Sequence, residues 1–263
     1  MYEKKLKAMR EGGGRLSEIK ALLGEKIAAG TGAVEIDDLA QRLINRAGGT
    51  PSFKGVTNYS WATCINVNEG VVHGIPKKEL VFEDGDVVSV DVGMKYKGYH
   101  TDTSFSVAIG DSPKKQEFLN HGREALAKAI GKAVVGAKIG DISWAIEKTL
   151  KKHSLNPITS LTGHGIGKAL HEPPLIPCFV SGSFDEAVEI RPGMTLAIEV
   201  MYTSGDGRLK LSSDGWTLST KDAKLAGLFE ETVAIADGGP IVLTQPGWIV
   251  GAHYDKENRK QSS

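Results

Sequence analysis

The sequence predicts an α+β fold, with two similar αβ halves related by a pseudo-twofold axis around an antiparallel sheet. Three observations carry this expectation. Short segments recur once, in the same order, along the chain. The stretch from Asp84 to Ile109 alternates with period two and is rich in β-branched residues, as a hairpin requires. Helical apolar spacing flanks that hairpin on both sides.

The repeat has four parts. Ile36-Asp37-Asp38-Leu39 resembles Ile139-Gly140-Asp141-Ile142, and His73-Gly74-Ile75-Pro76 resembles His171-Glu172-Pro173-Pro174. Gly85 precedes Asp91 by the same six residues that separate Gly193 from Glu199. Asp102-Thr103 heads one predicted strand and Glu230-Glu231-Thr232 heads another. Each half thus presents His, acid, acid in one order. No linker rich in Pro, Gly or Ser separates the halves, so residues 1–250 read as one domain with halves of about 1–110 and 111–250. A polar tail, 251–263, follows and is expected to fray.

In chain order, residues 2–30 read as helical through Leu6, Met9, Leu16, Ile19, Leu22, Leu23 and Ile27, with Gly12, Gly13 and Gly14 expected to interrupt and loosen the run. A second helix is predicted over Asp37–Ala47, stopped by Gly48 and Gly49. Residues 61–68 read as a strand. The hairpin then runs from Val87 to Val107, with its turn near Lys95–Gly98. Helices are predicted over 113–135 and 141–153, and strand and loop beyond.

Composition excludes several classes. The 263 residues are 40% hydrophobic, enough for one large core. Lys+Arg and Asp+Glu are 32 each, so net charge offers no pull towards nucleic acid or membrane surfaces. No apolar run approaches the ~20 residues of a membrane span. The start, Tyr2-Glu3-Lys4-Lys5, lacks the apolar segment of a signal peptide. Two cysteines, Cys64 and Cys178, make no disulfide framework. A cytoplasmic protein is expected.

The chemistry concentrates on a few acids. Asp91 and Asp102 lie eleven residues apart on the two arms of the hairpin. With the turn centred on Tyr96-Lys97 they are expected directly opposite each other, ~5 Å apart at Cβ. Two half-buried carboxylates that close must share a proton or hold a cation. Glu199 interrupts the apolar run Leu196-Ala197-Ile198-Glu199-Val200-Met201, and Glu230 precedes Thr232-Val233-Ala234-Ile235. His164 sits in Gly163-His164-Gly165-Ile166-Gly167, where the glycines allow close backbone approach. Four carboxylates and one imidazole, without thiolate, suit two divalent ions drawn from Co²⁺, Mn²⁺, Fe²⁺, Zn²⁺ or Ni²⁺ rather than a structural zinc. Such a pair lowers the pKa of a bridging water and polarises a carbonyl. His73 and His171, in their repeated His-x-x-Pro setting, point to contacts with the metal ligands or with substrate.

At these residues the chain resembles type I methionine aminopeptidase. The matching stretches are Ile65-Asn66-Val67-Asn68-Glu69 with His73-Gly74-Ile75-Pro76, Asp91 with Asp102, the His164 run with His171-Glu172-Pro173-Pro174, Arg191-Pro192-Gly193-Met194-Thr195 leading to Glu199, Asp214-Gly215-Trp216-Thr217, and Phe229-Glu230. They cover about residues 2–245, in order. The resemblance implies the pita-bread fold and removal of the N-terminal Met from nascent chains with a small second residue. It implies that Asp102 and Glu230 bridge two metals, that Asp91 completes one metal site, and that His164 and Glu199 complete the other. Glu199 would accept the proton of the attacking water, and His73 and His171 would contact substrate and stabilise the tetrahedral intermediate. Phe53, Tyr59, Cys64 and Trp216 match positions that line the methionine pocket, whose apolar character and soft sulfur partner suit a thioether.

The family often has Glu-His-Thr where this chain has Glu230-Glu231-Thr232, and often Cys and Tyr where it has Phe53 and Val56. Adjacent strand residues face opposite sides, so only one glutamate can be the bridge, and the resemblance selects Glu230 because it follows the aromatic. The expected partner is the N-terminus of a nascent polypeptide, with room for a transient ribosome contact, and the chain is expected to be a monomer. Two alternatives stand beside this reading. An Xaa-Pro-type aminopeptidase of the same fold would carry a large extra N-terminal domain, and only ~60 residues precede the first core strand here. A non-catalytic binding module of the same fold would have lost metal ligands and gained basic patches.

Overall fold

The computed structural model describes residues 2–245. The polar tail 251–263 lies outside them. Among the described residues there are four α-helices: α1 (Tyr2–Gly24), α2 (Ala33–Arg46), α3 (Pro113–Lys132) and α4 (Ile139–Lys152). The strands are β1 (Thr50–Pro51), β2 (Thr63–Val67), β3 (Gly70–Val72), β4 (Val87–Tyr96), β5 (Tyr99–Ala108), β6 (Asn156–Pro157), β7 (Thr162–Gly165), β8 (Glu172–Pro177), β9 (Thr195–Thr203), β10 (Leu209–Leu211), β11 (Leu218–Thr220), β12 (Ala226–Ala236) and β13 (Gly239–Val242).

The central order β4-β5-β12-β9 sets the architecture. It reads alike from either end: two long strands from each half meet where β5 pairs with β12. The pairings in this sheet are antiparallel. Helix α1 packs on β4 and β5, and α3 packs on β9 and β12. One core lies beneath the first helix pair, with Leu16, Ile19, Leu23, Ile36, Val88 and Val90. Another lies beneath the second, with Leu119, Ile130, Ile146, Ile198 and Tyr202. Among the described residues, no helix is long and apolar enough to cross a membrane.

The repeat is visible in detail. Gly32 and Lys138 cap α2 and α4, and each forms a β-bridge, to Val81 and to Glu189 respectively. Counted from these caps, Ile36 corresponds to Ile142, so the similarity expected between Ile36-Asp37-Asp38-Leu39 and Ile139-Gly140-Asp141-Ile142 is displaced by three residues. Helix α2 accordingly begins at Ala33, one turn before the expected Asp37, because the Gly32 bridge sets its start. Gly85 and Gly193 do correspond: φ is 89° at one and 91° at the other, ahead of β4 and β9.

Two further expectations are corrected. Gly12 to Gly14 do not interrupt α1, which runs unbroken to Gly24. Glycine costs about 1 kcal/mol per residue in a helix relative to alanine. Here close packing outweighs that cost, since a Cβ on Gly13 would lie 2.5 Å from the Leu243 carbonyl oxygen and one on Gly12 would lie 3.0 Å from Tyr96 Cβ. Asp102 and Glu230 sit within β5 and β12 rather than at their heads, because both strands extend through the sheet centre.

Candidate active site

The hairpin turn is Lys97-Gly98, with φ of 48° and 85°, the left-handed pair that a two-residue turn needs. It is centred one residue later than expected, so the register moves by two. Asp91 faces Ser104, and Asp102 faces Gly93. The two aspartates are therefore diagonal neighbours on one face, not direct partners. Gly93 makes room for them: a Cβ there would lie 3.1 Å from Asp102 Oδ1 and 2.8 Å from Ser52 Cβ. Direct opposition does occur in the other half, where Glu199 pairs with Glu230.

Asp102, His164 and Glu230 offer ligand atoms that all lie within 4.8 Å of one another, and all three residues are buried. Three ligands ~2.0–2.2 Å from one ion stand ~3.3–3.8 Å apart, so side-chain adjustment of at most ~1.5 Å closes the trio on an ion. Asp91 and Glu199 flank the trio through the pairings above. Burial raises Asp91 to about 7. It drives Asp102, Glu199 and Glu230 well above the usual carboxylate range, and neighbouring carboxylates add to the rise in each. Asp91 Oδ1 is buried with no hydrogen-bond partner among the described residues. Crowded, buried, under-satisfied acids are what a multivalent cation corrects.

His164 is prepared as a ligand. Its Nδ1 lies 2.8 Å from the Gly165 carbonyl oxygen, which can only accept, so Nδ1 carries the proton and Nε2 keeps its lone pair. Burial, then the adjacent His171, lowers its pKa to about 4. Gly163 lets β7 reach β9, since a Cβ there would lie 2.6 Å from the Ala197 carbonyl oxygen. The His171 ring is 4.4 Å from the His164 ring, edge to face. His73 has a left-handed φ of 58°, and its ring is 6.4 Å from Trp216. Burial lowers both of these pKa values as well.

Phe53, Tyr59, Cys64 and Trp216 belong to a third apolar cluster, with Ile166, Leu170 and Ala197. Tyr59 sits at the centre, with ring distances of 6.5 Å to Phe53 and 5.0 Å to Trp216. Cys64 faces Asp91 across β2 and β4, and burial followed by the Asp91 charge pushes its thiol far up. A thiol so placed is a packing and contact group, not a nucleophile. Trp216 is held by Asp214, which accepts from the backbone N–H of Trp216 (3.0 Å) and of Thr217 (2.9 Å) and pairs with Lys77 at 2.7 Å. Burial alone would raise the Asp214 pKa, but Lys77 and these donors outweigh it and hold the carboxyl well below its usual range. Asp214→Ala is expected to raise KM several-fold through loss of the Trp216 wall, with kcat and metal content nearly unchanged. Steady-state kinetics with elemental analysis checks this, and an equal fall in kcat would remove the assignment.

The adjacent glutamates separate as strand alternation requires. Glu231 lies away from the carboxylate cluster, where Lys20 of α1 donates to it at 2.6 Å and Thr244 at 2.5 Å. Lys20 also donates to Thr103 at 2.9 Å. Sequence reasoning missed Lys20 and also Thr232, whose hydroxyl accepts from the Asp102 N–H and donates to its carbonyl oxygen. A signal for Lys20 existed: it falls inside the buried stripe Leu16, Ile19, Leu23, a poor place for an unpaired ammonium.

The pattern of metallopeptidase family M24 matches residues 7–237. The chain belongs to that family. It is 37% identical to the methionine aminopeptidase of Aquifex aeolicus, over 92% of this chain and 97% of that one. It matches the crystal structure of methionine aminopeptidase from Thermotoga maritima with a TM-score of 0.88 and 37% identity, covering 92% and 97% of the two chains. The prolidase of Pyrococcus furiosus shares the fold at a TM-score of 0.74 and 21% identity, and this chain covers 64% of it. Within the family the chain stands among the methionine aminopeptidases and has their pita-bread fold. It is a metallopeptidase that works as an aminopeptidase and depends on divalent metal.

Proposed function

We propose that the chain removes the N-terminal methionine from nascent polypeptides whose second residue is small, using two divalent ions held by Asp91, Asp102, His164, Glu199 and Glu230. The observation that carries this reading is the gathering of four carboxylates, Asp102 and Glu230 buried and Asp91 and Glu199 half-buried, around one buried neutral imidazole beside an aromatic cage. Two divalent ions bring four positive charges to these four crowded carboxylates, which favours a pair over a single ion. Asp102 and Glu230 sit between the flanking acids and suit the bridging role. Bound divalent ions supply Lewis acidity and water activation.

The chain's own residues do the rest. Glu199, the carboxylate that pairs across the sheet with Glu230, accepts the proton given up by the attacking water. His73 and His171 are neutral donors poised on the scissile carbonyl oxygen, where negative charge builds. Phe53, Tyr59, Cys64 and Trp216 take the thioether, which favours aromatic edges. The enzyme would act in the cytoplasm as a monomer, with nascent chains as partners and only transient ribosome contact. The aromatic cage favours methionine over a proline-directed specificity, and the filled ligand set argues against a non-catalytic module.

A metal-stripped sample, assayed on Met-Ala-Ser and on Xaa-Pro peptides with each divalent metal returned singly, is expected to cleave only the methionyl substrate. Cleavage confined to Xaa-Pro peptides would overturn the reading.

A further inference from the structure

A second group of metal-type ligands lies on the helical side of the molecule. His121 and Glu124 stand three residues apart on one face of α3, and His153 immediately follows α4. Their ligand atoms all lie within 4.8 Å of one another. We propose that His121, Glu124 and His153 form a separate divalent-cation site of the zinc class that fastens α3 to the end of α4.

The geometry carries this. The imidazole rings are stacked, with centres 3.6 Å apart and planes 12° apart. The lone pairs of stacked rings run parallel, so ligation of one ion requires one ring to swing about its side-chain torsions until both nitrogens converge to the ~3.3 Å of a tetrahedral zinc. His153 Nε2 is 3.0 Å from Glu124 Oε2, a contact in which a metal can replace the shared proton. The other Glu124 oxygen accepts from Lys128 at 2.5 Å, with Lys152 3.9 Å away. These ammonium groups keep the carboxylate ionised and leave Oε2 facing the rings. Glu117 Oε1, 3.8 Å from His121 Nε2, stands near enough to become a further ligand. Burial, then the neighbouring His153, lowers the His121 pKa, which favours the neutral ring that a metal needs.

The donor set of two imidazoles and one carboxylate selects zinc-like ions over magnesium or calcium, which prefer all-oxygen shells. All three residues are partly exposed, so an ion can enter from solvent. None of them is among the five residues of the carboxylate cluster. The alternative is a plain surface network in which a protonated histidine pairs with Glu124.

Equilibrium dialysis of the full chain against Zn²⁺, followed by elemental analysis, separates the two. The double variant His121→Asn, His153→Asn is expected to retain one zinc per chain fewer than wild type, with peptidase activity unchanged. Glu124→Gln keeps both rings and is expected to bind this zinc at least tenfold more weakly. It stands in for the double variant if circular dichroism shows that variant to be misfolded. Zn²⁺, but not Mg²⁺, should raise the melting temperature of wild type more than that of either variant. Equal zinc content in wild type and variants would overturn the proposal, as would zinc lost only together with activity.

Discussion

Asp102→Asn is expected to lower turnover of Met-Ala-Ser by well over ~100-fold while the fold is retained. Replacing a group that merely orients a metal ligand typically costs 10–100-fold, and Asp102 is placed to be a ligand itself. Its carboxylate lies in the trio with His164 and Glu230, and its backbone is locked to Thr232 through both N–H and carbonyl. The amide leaves that backbone lock intact and removes one of four mutually repelling carboxylates. The metal-free variant should therefore melt no lower than metal-free wild type, and could melt higher. Kinetics on the metal-loaded variant and thermal melts of the stripped proteins check both parts. A wild-type rate would exclude Asp102 as a bridge.

Glu231→Gln and Glu230→Gln are expected to fail in opposite ways. Glu231→Gln breaks the pair with Lys20, whose side chains are 8% and 15% exposed. Losing one partner of a buried pair costs ~3–5 kcal/mol. The low end applies, because the amide oxygen and Thr103 still accept from Lys20. For a chain of this size, that is a fall of about 10 °C in melting temperature. Metal content and kcat should be nearly unchanged. Glu230→Gln should lose metal and activity with little loss of stability. Elemental analysis and calorimetry on the two variants decide the matter, and equal metal loss would leave the bridge unassigned between them.

Much of the site could be read before the fold was known. Charges inside apolar runs exposed Glu199 and Glu230, since such a position demands a partner. Period-two alternation exposed the hairpin and with it Asp91 and Asp102. The error in their pairing came from a turn centre misplaced by one residue, because pairing registers amplify such a shift twofold. The continuity of α1 was not legible: local propensity speaks against Gly12 and Gly13, and only Tyr96 and Leu243, distant in sequence, explain them. Glu231 was equally opaque from one strand alone, because its counter-charge comes from the first helix.

The junction of β5 and β12 also constrains when the enzyme can come into being. Asp91 and Asp102 are made early and sit on a hairpin that closes locally, whereas the wall bearing Glu230 is among the last described segments of the chain. Joining the two means closing a loop of more than a hundred residues, the slow kind of contact in folding. During synthesis, then, an emerging chain holds two aspartates without the residues that would complete the proposed ligand set. A complete centre of the proposed kind forms only after the segment bearing Glu230 has been made. Delayed assembly of this sort would keep the peptidase silent while it is still being made.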